Sequence, residues 1–224
     1  MSLYAEDDDI KCIKKMNEFF DKKDIILFDV GANLGDFTKT FIVQNSEKNI
    51  FSHCFEPNND INSDLRKNLS SFNNIKVNNF GLSNNNENKN LFYRTNGDAW
   101  ASLFNRSVFN NGAMKQEVQL KTLDEYVTLN NIKNIDYLKI DTEGNELNVF
   151  LGSKDSLEKK IISCGQFEYG GTYQDSNTTL KEVYEFLLTY DYKIYDIKRN
   201  LILDETNIIE NYQYSVFFFF KVTF

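Results

Sequence analysis

Apolar residues fall in short runs separated by amphipathic or polar stretches, and the two patterns alternate along the chain. Residues 10–21 bring Ile10, Ile13, Met16 or Asn17, and Phe20 near one face at helical spacing, which predicts an amphipathic helix. Residues 25–30 form a short run rich in branched and aromatic side chains, as a strand buried on both faces should be. The same reading predicts strands over 50–55, 75–79, 136–140, 161–168, 192–198 and 214–221. It predicts helices over 35–44, 58–69, 123–129, 145–151 and 178–189, with Gly152 as the stop of the fourth. Segment 81–117 is polar and rich in Asn and Ser. It predicts an insertion with a mobile loop and short strands at 90–94 and 117–121. Strands alternating with helices imply a mainly parallel α/β sheet covered on both faces. Residues 1–23 read as an N-terminal helical segment, and 24–224 as one domain with a loop-rich insertion around 81–117. The aromatic run 217–220 reads as a core strand.

Charge and cysteine usage narrow the classes. A net charge of −8 argues against a general nucleic-acid or anionic-membrane binder, while leaving room for a local basic patch. Cys12, Cys54 and Cys164 are scattered, with no metal spacing and no disulfide framework. Small buried hydrophobes in a reducing, cytoplasmic setting are expected. No apolar run approaches the roughly 20 residues of a membrane helix, so no membrane insertion is expected. The acidic start at residues 6–9 does not read as a signal peptide.

Three strand ends carry candidate chemistry. After the first strand, Asp29-Val-Gly-Ala-Asn-Leu-Gly35 reads as a glycine turn into a helix, which places a small-molecule site at the strand's carboxyl end. The spacing is G-x-N-x-G, and Asn33 replaces the middle glycine of a dinucleotide fingerprint. A ligand without a pyrophosphate does not need that glycine. S-adenosylmethionine is such a ligand, and Asp29 with backbone groups can meet its amino and carboxylate groups. Phe55-Glu56-Pro57 puts a carboxylate at the end of the second strand, where it suits a ribose diol. Asp136-Tyr-Leu-Lys-Ile-Asp-Thr-Glu-Gly-Asn-Glu146 delivers Asp141 and Glu143 beside the first loop. Lys139, in an otherwise buried strand, requires an acidic neighbour. Glu146 reads as favouring the next helix's amino end.

These three motifs together resemble the FkbM-type methyltransferase family, over residues 25–169. Val118-Gln-Leu-Lys-Thr-Leu-Asp124 is similar to that family's lead into the hallmark strand. The resemblance implies a class I, Rossmann-like, doubly wound sheet of seven strands. The implied order is 3-2-1-4-5-7-6 with the seventh strand antiparallel. It implies S-adenosyl-L-methionine as cofactor and O-methylation, often of sugars in glycans, glycolipids or natural products. By the resemblance, Asp29, Gly31, Asn33 and Gly35 hold the methionine part, and Glu56, followed by Pro57, holds the ribose. Asp141, Glu143 and Glu168 sit near the transferred methyl.

The base is expected to be a carboxylate or a tyrosine, or a water held by them, with Glu168 and Asp141 leading. His53, the single histidine, lies within the second strand and reads as a packing residue. Alternatively, Asp141 and Glu143 hold a divalent cation that polarises a sugar hydroxyl; the favoured reading has no metal. Loop 96–102 and segment 169–173 are expected to flank a small-molecule or glycan acceptor. Trp100, Tyr169 and Tyr173 would stack on a sugar ring, and Gly170 and Gly171 would hinge a lid; an ordinary surface loop with aromatic anchors is the equal alternative. Two other readings stand beside this one. One is a methyltransferase for a protein, lipid or nucleic-acid acceptor. The other is a noncatalytic or nicotinamide-binding Rossmann-like domain, against which the missing middle glycine counts.

Overall fold

The period-2 pattern of the apolar runs sorts side chains onto two faces of one sheet. In β1 (Asp24–Val30), Ile25 and Leu27 join one core cluster while Phe28 and Val30 join the other. In the carboxyl-terminal strand, Val216 and Phe218 feed the first cluster, and Phe217 and Phe219 the second. The computed structural model describes residues 7–19, 21–95, 98–109 and 112–222. Phe20, expected on the first helix's apolar face, lies outside them, as do Asn96 and Gly97 of the expected acceptor loop.

The chain runs through α1 (Asp7–Phe19), β1, α2 (Asp36–Gln44), β2 (Asn49–Phe55), α3 (Asn59–Asn68) and β3 (Ile75–Asn78). Three strands follow: β4 (Gly81–Leu82), β5 (Glu87–Tyr93) and β6 (Met114–Lys121). Next come α4 (Leu123–Leu129), β7 (Ile135–Ile140), α5 (Glu146–Leu151), α6 (Lys154–Glu158) and β8 (Ile162–Tyr169). The chain continues through α7 (Thr172–Ser176), α8 (Leu180–Thr189), β9 (Tyr192–Asp196), β10 (Leu201–Ile202) and β11 (Ser215–Lys221).

The main sheet has the order β10-β9-β11-β8-β7-β1-β2-β3. Strands β3, β2, β1, β7 and β8 are parallel, and β11 is antiparallel to both β8 and β9. Apart from β10, this is the order 3-2-1-4-5-7-6 with the last strand reversed. The sheet has eight strands instead of seven, because Leu201 and Ile202 pair back onto Asp196 and Tyr195 as a short edge. The helices α1 and α2 pack Cys12, Ile13, Met16, Phe37 and Phe41 on one face. On the other, α4, α5 and α8 contribute Leu123, Val149, Phe150, Val183 and Leu187.

The insertion is more ordered than its composition suggests. β5 pairs antiparallel with β6 from Glu87↔Leu120 to Tyr93↔Met114, and β4 joins the other edge of β6. Both long strands exceed the predicted 90–94 and 117–121, because their outer positions are polar and hide the alternation. Leu91, Val118 and Leu120 form the inner face. The helices α6 and α7 have five residues each, too short for a helical pattern to show in sequence. At α8, Thr179 and Glu182 form a reciprocal capping box that fixes its first turn.

Candidate active site

A cavity of about 430 Å³ opens at the carboxyl ends of β1, β2, β7 and β8. It lies where the strand order reverses between β1 and β7, the usual ligand position in such sheets. Gly31, Asn33, Glu56 and Pro57 line its β2 side. Asp141, Glu143 and Glu168 line its β7–β8 side. Seven of the nine sequence-derived site residues thus meet in one place. Asp29 and Gly35 are not part of the wall.

The first loop is built from left-handed residues: Gly31 at φ +75°, Asn33 at +46° and Gly35 at +87°. A Cβ on Gly31 would lie 1.8 Å from the Asp141 carbonyl oxygen, so only glycine lets this loop approach the β7 turn. The Leu34 N–H donates to Asn33 Oδ1 at 2.7 Å, which stabilises the turn locally. The Asn33 N–H donates to Glu56 Oε2 at 3.0 Å, and the Asn58 N–H to Glu56 Oε1 at 2.9 Å. Glu56 is therefore aimed by backbone from both flanking loops. Burial pushes its pKa up to about 7, against the pull of these two N–H groups.

Asp29 is fully buried beneath the loop. Thr38 Oγ1 donates to its Oδ2 at 2.6 Å, and Lys139 Nζ lies 3.4 Å from its Oδ1. Asp29 does not line the cavity, and its Oδ1 has no hydrogen-bond partner among the described residues. Its side chain shares the face of Leu27, toward α2, so it supports the loop from below. Lys139 has the acidic neighbours its position demands. Its Nζ lies 3.0 Å from Asp141 Oδ2 and donates to the Gly31 carbonyl at 3.1 Å. Burial opposes its charge, but Asp141 and Asp29 outweigh that and raise its pKa.

The acid cluster is electrostatically graded. One carboxylate oxygen each from Asp141, Glu143 and Glu168 lies within 4.8 Å of the others. Burial works against ionised Asp141, yet the Lys139 ammonium and a hydrogen bond from Glu168 hold it below the usual carboxylate range. The Asp141 side chain is 35% exposed and lines the cavity. Glu168 moves the other way: burial and the Asp141 charge push it well above its ordinary value. Glu168 thus keeps a proton and donates it toward Asp141. Glu143 has a left-handed backbone, φ +56°. Arg106 Nη1 donates to its Oε2 at 2.7 Å. Burial and the Asp141 charge push Glu143 up to about 8, against the pull of Arg106.

Glu146 does not line the cavity. Its Oε1 accepts from the Thr142 N–H at 2.7 Å and hydroxyl at 2.9 Å, and its Oε2 accepts from the Gly144 N–H at 3.0 Å. It ties the turn that presents Asp141 and Glu143, a more local role than a dipole effect.

Part of the insertion returns over the cavity. Ala99, Trp100, Ala101 and Leu103 line it, and the Ser102 hydroxyl donates to the Glu143 carbonyl at 2.7 Å. Arg106 also reaches the Trp100 carbonyl at 3.3 Å and Asp175 Oδ2 at 3.4 Å. Sequence reasoning missed Arg106, because its partners lie far away in the chain. Trp100 is 45% exposed on the rim, with the Arg94 guanidinium 4.4 Å from its ring centre.

The expected stacking by Tyr169 and Tyr173 is corrected. They are 1% and 0% exposed, with ring centres 4.9 Å apart. Tyr169 Oη donates to Glu210 and accepts the Tyr212 N–H, which anchors it in the core. Gly170 and Gly171 lead straight into α7. His53 packs away from the cavity, with Nδ1 2.7 Å from Tyr126 Oη. Burial, then Lys76, lowers its pKa to about 4. All three cysteines are buried and free. Among the described residues, no helix is long and apolar enough to cross a membrane.

Known proteins resemble this chain in sequence or in fold. The chain is 23% identical over 167 residues to the 2-O-methyltransferase NoeI of Sinorhizobium fredii (strain NBRC 101917 / NGR234), covering 67% of this chain and 66% of that protein. The crystal structure of methyltransferase FkbM from Methylobacillus flagellatus KT matches with a TM-score of 0.60 at 14% identity, over 94% of this chain and 47% of that one. The plantazolicin methyltransferase BpumL, solved in complex with SAH, matches with a TM-score of 0.51 at 11% identity, over 96% and 83%. The chain thus spans a little under two thirds of NoeI and about half of the M. flagellatus protein, and the structural likenesses are likenesses of fold. The model of the methyltransferase FkbM domain matches residues 29–194, most of the chain, which therefore belongs to the FkbM methyltransferase family.

Proposed function

We propose that this protein is an S-adenosyl-L-methionine-dependent O-methyltransferase acting on a sugar hydroxyl of a glycan, glycolipid or natural product. The observation that carries the reading is the cluster of Asp141, Glu143 and Glu168, with carboxylate oxygens within 4.8 Å of one another, facing the same cavity as Glu56 and the Gly31 loop.

The residues present fit the cofactor. The cavity volume of about 430 Å³ falls in the range of about 300–1,000 Å³ typical of small-molecule sites. Gly31 keeps the cradle free of a side chain, and the rest of the loop through Asn33 would surround the methionine part. Glu56 would hold the ribose, because each of its oxygens takes one backbone N–H and keeps a second acceptor position for a hydroxyl. When bound, S-adenosyl-L-methionine supplies an electrophilic methyl group. Asp141 accepts the hydrogen bond, and then the proton, of the acceptor hydroxyl. Glu168 donates to Asp141 and orients it, so Glu168 is a poor first base despite its position. Glu143, paired with Arg106, borders the same acceptor space. No metal enters this reading, since Lys139 and Arg106 supply the countercharges.

A sugar acceptor is supported by the rim. Trp100 and Tyr214 both line the cavity and both are substantially exposed. Exposed rings above a carboxylate cluster suit a molecule with apolar C–H faces and many hydroxyls. O-methyl transfer is also the activity in NoeI's name. We read residues 24–224 as one domain and a reducing, cytoplasmic compartment as its setting.

Calorimetric titration with S-adenosylhomocysteine, with NAD as control, tests the cofactor. Selective binding supports the reading, and no binding to a folded protein overturns it. Transfer of labelled methyl onto a saccharide panel tests the acceptor; labelling only of protein, lipid or RNA would overturn the sugar assignment. Asp141→Asn should cut turnover by about 100-fold or more with cofactor affinity nearly unchanged, and unchanged turnover removes Asp141 from the chemistry.

A further inference from the structure

We infer that the acceptor is an oligosaccharide, and that the ring next to the methylated one binds in a second cavity, across Tyr214 from the acid cluster. This rests on the sugar-acceptor reading above and adds the size of that acceptor.

Topology puts the two cavities side by side. β11 lies between β8 and β9 and runs antiparallel to both, so its amino end meets their carboxyl ends. The second cavity, of about 220 Å³, opens along that edge. Side chains alternate across the sheet there. Glu168 and Val216 line the first cavity, whereas their chain neighbours Tyr169 and Ser215 line the second. Tyr214, just before β11, lines both. Its backbone sits close to the end of β8: a Cβ on Gly170 would lie 3.6 Å from the Tyr214 Cα. Two linked rings, one in each cavity, would therefore share one exposed tyrosine as their common wall.

Hydrogen bonds hold the outer wall of the second cavity in place. Tyr169 Oη accepts the Tyr212 N–H at 2.9 Å and donates to Glu210 Oε2 at 3.0 Å. Arg199 Nη1 donates to the Asn207 carbonyl at 2.8 Å. These bonds fix segment 207–212 to the ends of β8 and β9.

The lining selects the occupant. Its cations are committed: Arg199 Nε donates to Asp196 Oδ2 at 2.6 Å, and Lys198 Nζ donates to the Tyr214 carbonyl. An anion would have to compete with Asp196 for the guanidinium. Asn211 and Gln213 contribute side-chain amides, and Ser215 a hydroxyl. Such groups both donate and accept. Tyr214 and Ile209 add exposed apolar surface beside them. Mixed donors and acceptors next to an exposed ring match a sugar, whose hydroxyls also do both and whose C–H faces lie between them. An acyl chain in the same place would leave the amides and the hydroxyl without partners.

The test uses the full chain and transfer of labelled methyl from S-adenosyl-L-methionine. The probes are the methyl glycosides of glucose, galactose, mannose, rhamnose and fucose, and disaccharides carrying the same sugars at either end. For the best disaccharide, kcat/KM should exceed that of the matching methyl glycoside by about tenfold or more. Gln213→Trp, at an exposed position of the second cavity, should fill it and bring the two probes within about twofold of each other. Gln213→Ala, which removes only the amide, should narrow the gap severalfold and carries the test if the tryptophan variant does not fold. Affinity for S-adenosylhomocysteine should match wild type in both variants, which shows that the fold is intact. If wild type uses methyl glycosides as well as disaccharides, or the folded variants keep the full gap, the second subsite is overturned while the sugar acceptor stands. If protein that binds S-adenosylhomocysteine methylates neither size of probe, the sugar-acceptor reading itself fails, and the second subsite with it.

Discussion

Arg106 Nη1 donates to Glu143 Oε2 at 2.7 Å and so ties the segment covering the cavity to the turn that carries the acid cluster. The same guanidinium holds Asp175, in α7, and the Trp100 carbonyl. Both Arg106 and Glu143 are mostly shielded from water, so the pair is worth more than an exposed one. Arg106→Ala should release the segment and misplace the cluster. Because small misplacements at a reacting centre are expensive, turnover should fall on the order of 100-fold. Arg106→Lys, which keeps the charge without the fork, should recover part of that. Proteolysis within 98–109 should quicken in the alanine variant. Unchanged cleavage and unchanged turnover would remove the tether from the account.

Gly31→Ala tests the approach of the first loop to the β7 turn. The added methyl would meet the Asp141 carbonyl oxygen at 1.8 Å, on a backbone with φ +75°. The loop must then move or the strands must part. A loss of at least about 2 kcal/mol is expected, roughly 4–8 °C in Tm for a chain of this size. Binding of S-adenosylhomocysteine should weaken as well. A variant as stable as wild type would show that the two turns have slack between them.

What was legible in the sequence follows from the range of each interaction. The glycine loop, Glu56 and the Asp141–Glu146 turn were readable because each needs only its neighbours in the chain. The run Phe217–Phe220 was readable as a strand because both sheet faces are covered, so every position can be apolar. Asp29 lies off the cavity wall: two residues after Leu27, it shares Leu27's face of the sheet. Tyr169 and Tyr173 could not be resolved, since an aromatic at a strand end looks alike on a rim or in a core. Arg106 acts through a partner 37 residues away, and nothing local marks it.

The raised carboxyls make stability depend on pH in an unusual direction. Burial lifts Glu56 and Glu146 to about 7 and Glu143 to about 8, and burial with the Asp141 charge pushes Glu168 well above its ordinary value. Unfolded glutamates titrate near about 4.3. Through this range the native state therefore binds more protons than the unfolded state, and stability falls as pH rises. His53, lowered to about 4, acts oppositely between about pH 4 and its unfolded value of about 6.5. The cleanest window is thus from about pH 6.5 to 8. The ligand-free protein should lose several degrees of Tm across it. A Tm that holds steady or rises over that window would contradict the burial of these groups.

Glu56 should also make cofactor binding depend on pH. Its ionised form accepts hydrogen bonds from both ribose hydroxyls, whereas the neutral form has lost acceptor capacity to its proton. The ligand therefore favours the ionised state and lowers the Glu56 pKa from its free value of about 7. Well below about pH 7, binding must expel a proton, and affinity should fall by a factor approaching ten per pH unit. Above about pH 8 the curve should flatten, because Glu56 is then already ionised. Calorimetry in buffers of different ionisation enthalpy counts the protons directly. Close to one should leave per ligand bound at about pH 6 and nearly none at about pH 8.5. 5′-Methylthioadenosine keeps the ribose and should follow the same curve. Glu56→Gln should bind both ligands more weakly and without this dependence. A wild-type profile that is flat across neutrality would remove Glu56 from the ribose site, because a buried carboxyl poised near 7 cannot take two new donors without releasing its proton.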